Sequence, residues 1–427
     1  MSIVKKCLCL CLTVVVLLLS LPAEGQHAEV YEDGVFKDYI RTVVFHPSTD
    51  QLAMPAIRLG SSQQLVLRFD DMEADVKRYF FSIVHCDADW RPSELEKYEY
   101  IDGFDMEEIF DYQFSRGTLI DYTHYNLRLP NRNFKPTVSG NYILQVFDPE
   151  LKDPLVLTRR FVVFEPKLSV AGEIIRPTNL SQSRTHQEIS FYISQKNYPM
   201  SNPMDDLRAC ILQNGWWLNA ICHVSPRYTS GEIINFEHRG RLVFEAGRNF
   251  RPMDIRTTRF RSERVHTIEH FQDGTEIVMK TDDKRTHKSY SLIHDFNGRF
   301  IIENREFDNP HLTSDYVFPF LTLRSPLPVY DQEVYVIGGF SGMDLREDCK
   351  MDFDDEKGLY YKELFLKQGY YDYQYANSHK GSDSFSTDEI EGSVFETYND
   401  YYILLYYRPF GGRFDRVIGF GKLSNKE

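Results

Sequence analysis

The sequence predicts an all-β chain of consecutive sandwich domains, and three observations carry that expectation. Short apolar or alternating stretches bounded by Gly, Pro, Asn and Asp recur along the whole length, as in Gln64 to Phe69, Tyr79 to Val84, Tyr142 to Phe147, Ile189 to Ile193 and Tyr401 to Tyr407. The chain carries 27 Tyr and 31 Phe against three Trp, a composition suited to pleated, half-buried surfaces. Turn dipeptides sit between strand-like runs at Asn214-Gly215, Asp273-Gly274 and Asn297-Gly298, each favouring a tight turn with positive φ. Ile268 to Lys280 and Ser291 to Ile302 read as the cleanest hairpins. Met106 to Tyr112 alone has helical character.

Taken in order, the N-terminus comes first. Lys5 and Lys6 precede an apolar run from Cys7 to Leu21, then Pro22 and the small-residue site Ala23-Glu24-Gly25, the layout of an export signal cleaved after Gly25. The run of about 15 residues falls short of the roughly 20 needed to span a bilayer. No second long apolar run follows, so the mature chain is expected to be soluble beyond the inner membrane and not membrane-spanning. Cys7, Cys9 and Cys11 lie at the start of the run, whereas a lipid anchor needs a cysteine at the cleavage point. Removing 25 of the 427 residues leaves 402 with four cysteines, Cys86, Cys210, Cys222 and Cys349, too sparse for a disulfide scaffold. The formal charge of −14 becomes −15 once Lys5, Lys6 and Glu24 are gone, which disfavours a nucleic-acid partner.

Pro-containing breaks at Phe164-Glu165-Pro166 and Ser325-Pro326-Leu327-Pro328 divide the remainder. The expected organisation is a signal peptide over 1–25 and sandwiches over 26–166, 167–326 and 327–427. Within the first, Ser139-Gly140-Asn141-Tyr142-Ile143-Leu144 resembles the tyrosine corner of immunoglobulin-like topology, with Leu144 where the usual second disulfide cysteine would fall. In the last, Val334 to Phe340, Leu359 to Leu366 and Gly369-Tyr370-Tyr371-Asp372-Tyr373 resemble glycogen-binding early-set modules. The predicted fold class is three consecutive immunoglobulin-like or early-set β-sandwiches.

Candidate chemistry is thin. His85 and Cys86 are adjacent, but neighbouring strand residues point to opposite faces, so the imidazole does not activate the thiol. Asp87 and Asp89 share a face without a third ligand, a poor hard-cation site. Asp352 to Gly358, with Glu363 twelve positions along, approaches a calcium loop, yet its glycine is one place late and no helices flank it, which leaves a solvated hairpin turn. Cys210 and Cys222 flank Asn214-Gly215-Trp216-Trp217. A two-residue turn would pair Cys210 with Asn219, whereas a longer loop centred near Trp216 would bring the two sulfurs together. The thirteen His show no metal-ligand spacing, and Walker, Rossmann and Gly-x-Ser-x-Gly motifs are absent. No cofactor and no catalysis are expected. Arg and aromatic residues interleave at Arg256 to Arg261, a composition enriched at protein interfaces.

Several runs match a known family. Tyr79 to Trp90 with Pro92-Ser93-Glu94-Leu95, Tyr100 to Phe104, Thr123-His124-Tyr125, Leu129-Pro130-Asn131, Ser139 to Tyr142 and Thr158 to Phe161 span the first domain. Leu212 to Trp216 and Tyr401 to Gly419 extend the likeness across nearly all of the mature chain. These resemble the type IX secretion plug proteins, long known only as a domain of unknown function. The resemblance implies a periplasmic, non-enzymatic protein, peripheral to the outer membrane, that binds the periplasmic mouth of the translocon β-barrel and closes it when no cargo passes. A barrel of about 36 strands has a backbone diameter near ~70 Å. A compact body of 402 residues has a diameter near ~55 Å, enough to cover a mouth narrowed by side chains and loops.

Contact surfaces follow from composition. Arg256, Arg259 and Phe260 in the second domain and Tyr370, Tyr371 and Tyr373 in the third are the expected partner contacts, because Arg and aromatic anchors dominate interface energetics. The same three tyrosines motivate a second reading, a periplasmic carbohydrate-binding protein. A third, a glycosidase, would need a close-set pair of acids in one cleft.

Overall fold

In the computed structural model, which describes residues 31–382 and 384–426, six sheets of four or more strands pair around three apolar cores. The expected signal peptide lies outside the described residues.

The first sandwich is built between Gly34 and Phe164. One sheet runs in the order Gly34–Val35, Leu155–Phe164, Gly140–Phe147, Phe80–Cys86, Glu107–Glu108, and the other in the order Ile40–Pro47, Leu65–Asp71, Thr123–Leu129, Tyr112–Phe114. Phe69, Tyr79 and Tyr125 pack mutually between them. The tyrosine corner is present: Tyr142 is fully buried and its hydroxyl donates to the Val138 carbonyl at 2.8 Å. The helix expected over Met106 to Tyr112 does not form. That segment instead wraps the edge of the sandwich, pairing with one sheet at Glu107–Glu108 and the other at Tyr112–Phe114, with Ile109 turned into the core. Helices are confined, among the described residues, to single turns such as Lys97–Tyr100.

The second and third sandwiches do not follow each other along the chain as 167–326 and 327–427. Leu207–Gln213 pairs along its whole length with Asp400–Tyr407, which in turn pairs with Arg416–Ser424. The core that encloses Ile189, Phe191 and Ile211 therefore also holds Tyr401, Ile403 and Leu405. Strands from Arg251–Asp254 through Gly369–His379 build the third sandwich, whose core runs from Met253 to Ile390. The third sandwich is an insertion in the second. The Pro-rich break at 325–328 is a turn inside it, following the central strand Tyr316–Arg324.

Sheets buried on both faces explain the uninterrupted apolar runs. In Asp400–Tyr407 the odd residues Tyr401, Ile403 and Leu405 fill the second core, while Tyr402, Leu404 and Tyr406 face the first sandwich. In Leu155–Phe164, Leu157, Phe161 and Val163 face inward and Val162 and Phe164 face the second sandwich. These outer faces, with Met54, Cys210, Leu212 and Val417, form a fourth apolar cluster. At about 1.5–3 kcal/mol for each fully buried large apolar side chain, the cluster makes this junction as strong as a small core. Residues 32–427 form one compact unit.

Two of the three turn signals adopt the expected positive φ, with pairing around them different from that expected, whereas Asp273-Gly274 turns the expected hairpin of Val265–His270 and Thr275–Met279 without positive φ. Asn214 and Gly215 have φ of 56° and 72°, and the Trp216 amide closes the turn on the Gln213 carbonyl. A second turn closes at Ala220 before pairing resumes with Ala209 opposite Val224 and Ile211 opposite Ile221. Asn297 and Gly298 likewise adopt φ of 54° and 85°. No hairpin forms over Ser291 to Ile302, however, because only Phe300–Ile302 is a strand and it pairs with Gly369–His379. Asp352–Asp354 and Leu359–Glu363 form the solvated hairpin expected there, the Asp354 carboxylate accepting the amides of Glu356 and Lys357.

Candidate functional site

The run from His85 to Trp90 serves the joint between the first and second sandwiches. His85 is buried, hydrogen-bonded to the Ser93 hydroxyl at 2.7 Å, and pushed down to about 4 by burial. Burial pushes the Cys86 thiol up to about 12, which removes it as a nucleophile. Asp87 accepts the Asp415 amide at 2.9 Å while Asp415 accepts the Ala88 amide at 2.9 Å, and Arg408 bridges both carboxylates. Trp90 packs edge-on to Trp217. Cys210 and Cys222 are joined as a disulfide beside this cluster, across the longer loop that carries Trp216 and Trp217.

The joint between the first and third sandwiches is polar. Asp70 follows Phe69 on its strand and so turns away from the first core, fully buried. It accepts Lys367 Nζ at 2.6 Å, the Tyr316 hydroxyl at 2.7 Å and His124 Nδ1 at 2.6 Å. Lys367 also donates to the His311 carbonyl at 2.7 Å and lies 3.8 Å from the Tyr122 ring centroid. Burial alone would raise the Asp70 carboxyl, but the Lys367 ammonium and the His124 bond outweigh it and hold the group below its ordinary value. The Lys367 and Tyr316 bonds to Asp70 tie the third sandwich to the first.

Beside this lock opens a cleft of about 1780 Å³, bounded by the strand Ile40–Pro47, the Trp216 loop and the third sandwich near Met343 and Phe365. Part of its charge is paired, as in Arg41 and Arg346 with Asp348, while Arg159 and Arg299 also line it. Thr42, with φ of 49°, sits at a β-bulge on its wall and shares a 2.6 Å hydrogen bond with the Tyr316 hydroxyl. Burial and the adjacent Asp70 raise that phenol far above its ordinary range, so it offers Thr42 no base. The close acids Asp295 and Asp372 do not line the cleft. Asp372 is pushed up to about 8 by burial and by Asp295, and its Oδ2 accepts the amides of Phe296 and Gly298 at 2.5 and 3.2 Å. It holds the Asn297-Gly298 turn rather than facing a substrate. No group of three His, Cys, Asp or Glu among the described residues could hold a metal ion.

The expected contact residues divide into two kinds. Tyr371 and Tyr373 are buried, and this corrects their reading as partner or sugar contacts. The strand Gly369–His379 is central and covered on both faces. The Tyr371 hydroxyl donates to the Lys367 carbonyl and that of Tyr373 to Asp282, inside a buried network of Arg251, Asp282, Glu391 and Arg285. Tyr370 is half-buried beneath Arg256, which is held by Asp254 and Glu303. Arg259 lies over the Phe307 ring, and Phe260 is 74% exposed. Phe104, Phe110, Tyr112 and Phe114 are exposed as well, and the helical pattern of Met106 to Tyr112 conceals that Phe110 and Tyr112 lie at a sheet edge.

Residues 40–165 match the family model described as the first domain of the type 9 secretion system plug protein. The chain is also similar to a crystal structure of a hypothetical protein from Parabacteroides merdae, with a TM-score of 0.88 and 32% identity over 93% of this chain and 100% of that one. No curated protein matches it.

Proposed function

The chain belongs to the type IX secretion system plug protein family, and from that premise we propose that it is a non-enzymatic periplasmic stopper that binds the periplasmic mouth of the outer-membrane translocon barrel and closes it between cargoes. The observation that carries this reading is the family match over the first sandwich. Two features of the molecule support it. Residues 32–427 are tied into one body by an apolar joint and a buried ionic lock, and a stopper must stay rigid over a wide opening. Asp70, His124 and Lys367 are engaged in the polar joint and Asp87 with Arg408 at the apolar one, and the cleft presents no activated nucleophile. No helix among the described residues is long and apolar enough to cross a membrane.

The test is electrical. Purified translocon barrel in a planar bilayer should conduct through a wide pore, and the mature chain added on the periplasmic side should silence it at a stoichiometry of one to one. Undiminished conductance at saturating protein would remove the closure role.

A further inference from the structure

The second sheet of the first sandwich ends on the short strand Tyr112–Phe114, which among the described residues pairs only with Thr123–Leu129. The Asn126 amide donates to the Asp111 carbonyl and the Ser115 amide to the Tyr122 carbonyl, each at 2.9 Å. In an antiparallel ladder this points the polar groups of residues 111, 113 and 115 toward the neighbour and those of Tyr112 and Phe114 outward. One turn further on, the outward amide of Arg116 is taken by the Leu312 carbonyl of the third sandwich at 2.8 Å. The edge is therefore competent to bond, and at Tyr112 and Phe114 it has no backbone partner on that side among the described residues.

The side chains show the same incompleteness. Tyr112 packs on the core ring of Tyr125 with centroids 5.7 Å apart, so it continues the inner face of the sheet, yet it is 38% exposed and Phe114, on the same face, 51%. The apolar face extends one strand beyond its cover. Natural sheet edges are guarded by Lys, Pro or bulges, and Tyr-Gln-Phe has none of them. The flanking chain is acidic: Asp102, Asp105, Asp111 and Asp121 are exposed, and Arg116 is the only Lys or Arg from Tyr98 to Asp121, with Arg128 on the adjoining strand and Arg68 beside Asp111 as the nearby basic groups of the same sheet.

We propose that this edge takes up an extended segment of the translocon polypeptide by strand addition, with apolar side chains covering Tyr112 and Phe114 and Lys or Arg side chains meeting the carboxylates around them. An extended occupant is specified by the outward amides and carbonyls, and its positive charge by the acidic surround. The identity of the donor rests on the closure reading; the chemistry of the edge does not.

The experiment uses the full chain in its native envelope, carrying p-benzoylphenylalanine in place of Phe114 or, separately, of Phe260, with cross-linked peptides identified by mass spectrometry. The inference expects the Phe114 position to capture a translocon segment containing Lys or Arg. Adding Tyr112→Pro, which removes an outward amide and no internal ladder bond, should lower that yield at least tenfold while thermal unfolding stays cooperative. Capture of the translocon from position 260 alone, or capture of a second copy of this chain from position 114, would overturn the inference and leave closure standing. Capture of the translocon from neither position would overturn both.

Discussion

The first sandwich meets its two neighbours with opposite chemistry. Toward the second it presents Val162 and Phe164 against Leu212, Leu404 and Tyr406, a dry apolar contact with polar groups at the rim. Toward the third it presents Asp70 and His124 against Lys367 and Tyr316, a buried ionic contact with a water-accessible cleft beside it. Apolar burial supplies free energy without demanding one geometry. A buried ion pair supplies little net free energy, because desolvation offsets the attraction, but separating its partners leaves an uncompensated buried charge. The first joint fastens the insertion's host, and the second fixes the angle at which the insertion is held.

Substitutions should separate the two joints. Lys367→Met leaves Asp70 buried without a counter-charge and should cost about 3–5 kcal/mol by urea unfolding, whereas Asp70→Asn with Lys367→Met should recover most of it. Equal losses in the single and double variants would mean that packing, not charge, governs this joint. Leu404→Ala opens a cavity in the apolar joint and should cost about 3 kcal/mol, with no recovery available from a charge-neutralising partner change.

The pH dependence sharpens the comparison further. The Asp70 carboxyl is held below its ordinary value in the folded chain, so its contribution is present above the unfolded pKa and is lost as pH falls through the lower folded one. Asp372 has the opposite sign. Raised from 3.8 to about 8, it binds a proton in the folded chain over that window, so stability should decline as pH rises from about 4 to about 8, by at most about 1.4 kcal/mol per unit. Asp372→Asn keeps the acceptor for the Phe296 and Gly298 amides and should flatten the decline across that window. A variant profile parallel to the parent's would assign the decline elsewhere.

What the sequence discloses about this fold is mainly local. Ser139 to Leu144 announces the tyrosine corner because the motif is held by a bond between residues four apart, Tyr142 and Val138. Asn214-Gly215 and Asn297-Gly298 announce positive φ for the same reason. The insertion is silent, since Leu207–Gln213 finds its partner at Asp400–Tyr407 across more than 180 residues, and nothing near either strand records the other. Two-faced burial misleads in its own way. Tyr370 to Tyr373 carries the aromatic density of a contact surface, but it belongs to a strand covered on both sides, where Tyr is chosen because its hydroxyl can reach Asp282 or a carbonyl. The open edge at Tyr112–Phe114 is legible only once its neighbour is known.

The smallest and most discriminating comparison removes one oxygen from each joint. Tyr406 donates to Asn141 Oδ1 at 2.9 Å, a bond between neutral groups within the apolar cluster. Tyr316 donates to Asp70 at 2.7 Å and shares a bond with Thr42 at the cleft wall. Hydrogen bonds to an ionised acceptor are worth about 1.5–3 kcal/mol against about 0.5–1.5 for neutral ones. Tyr316→Phe should therefore cost more than Tyr406→Phe, although both delete the same atom from a fully enclosed ring. The Tyr316→Phe loss should also shrink in acid as pH falls through the lowered folded-state pKa of Asp70, whereas that of Tyr406→Phe should not change over the same range. If the two losses were equal and both insensitive to acid, the Asp70 site would be neutral in the folded chain, and the polar joint would differ from the apolar one in shape alone.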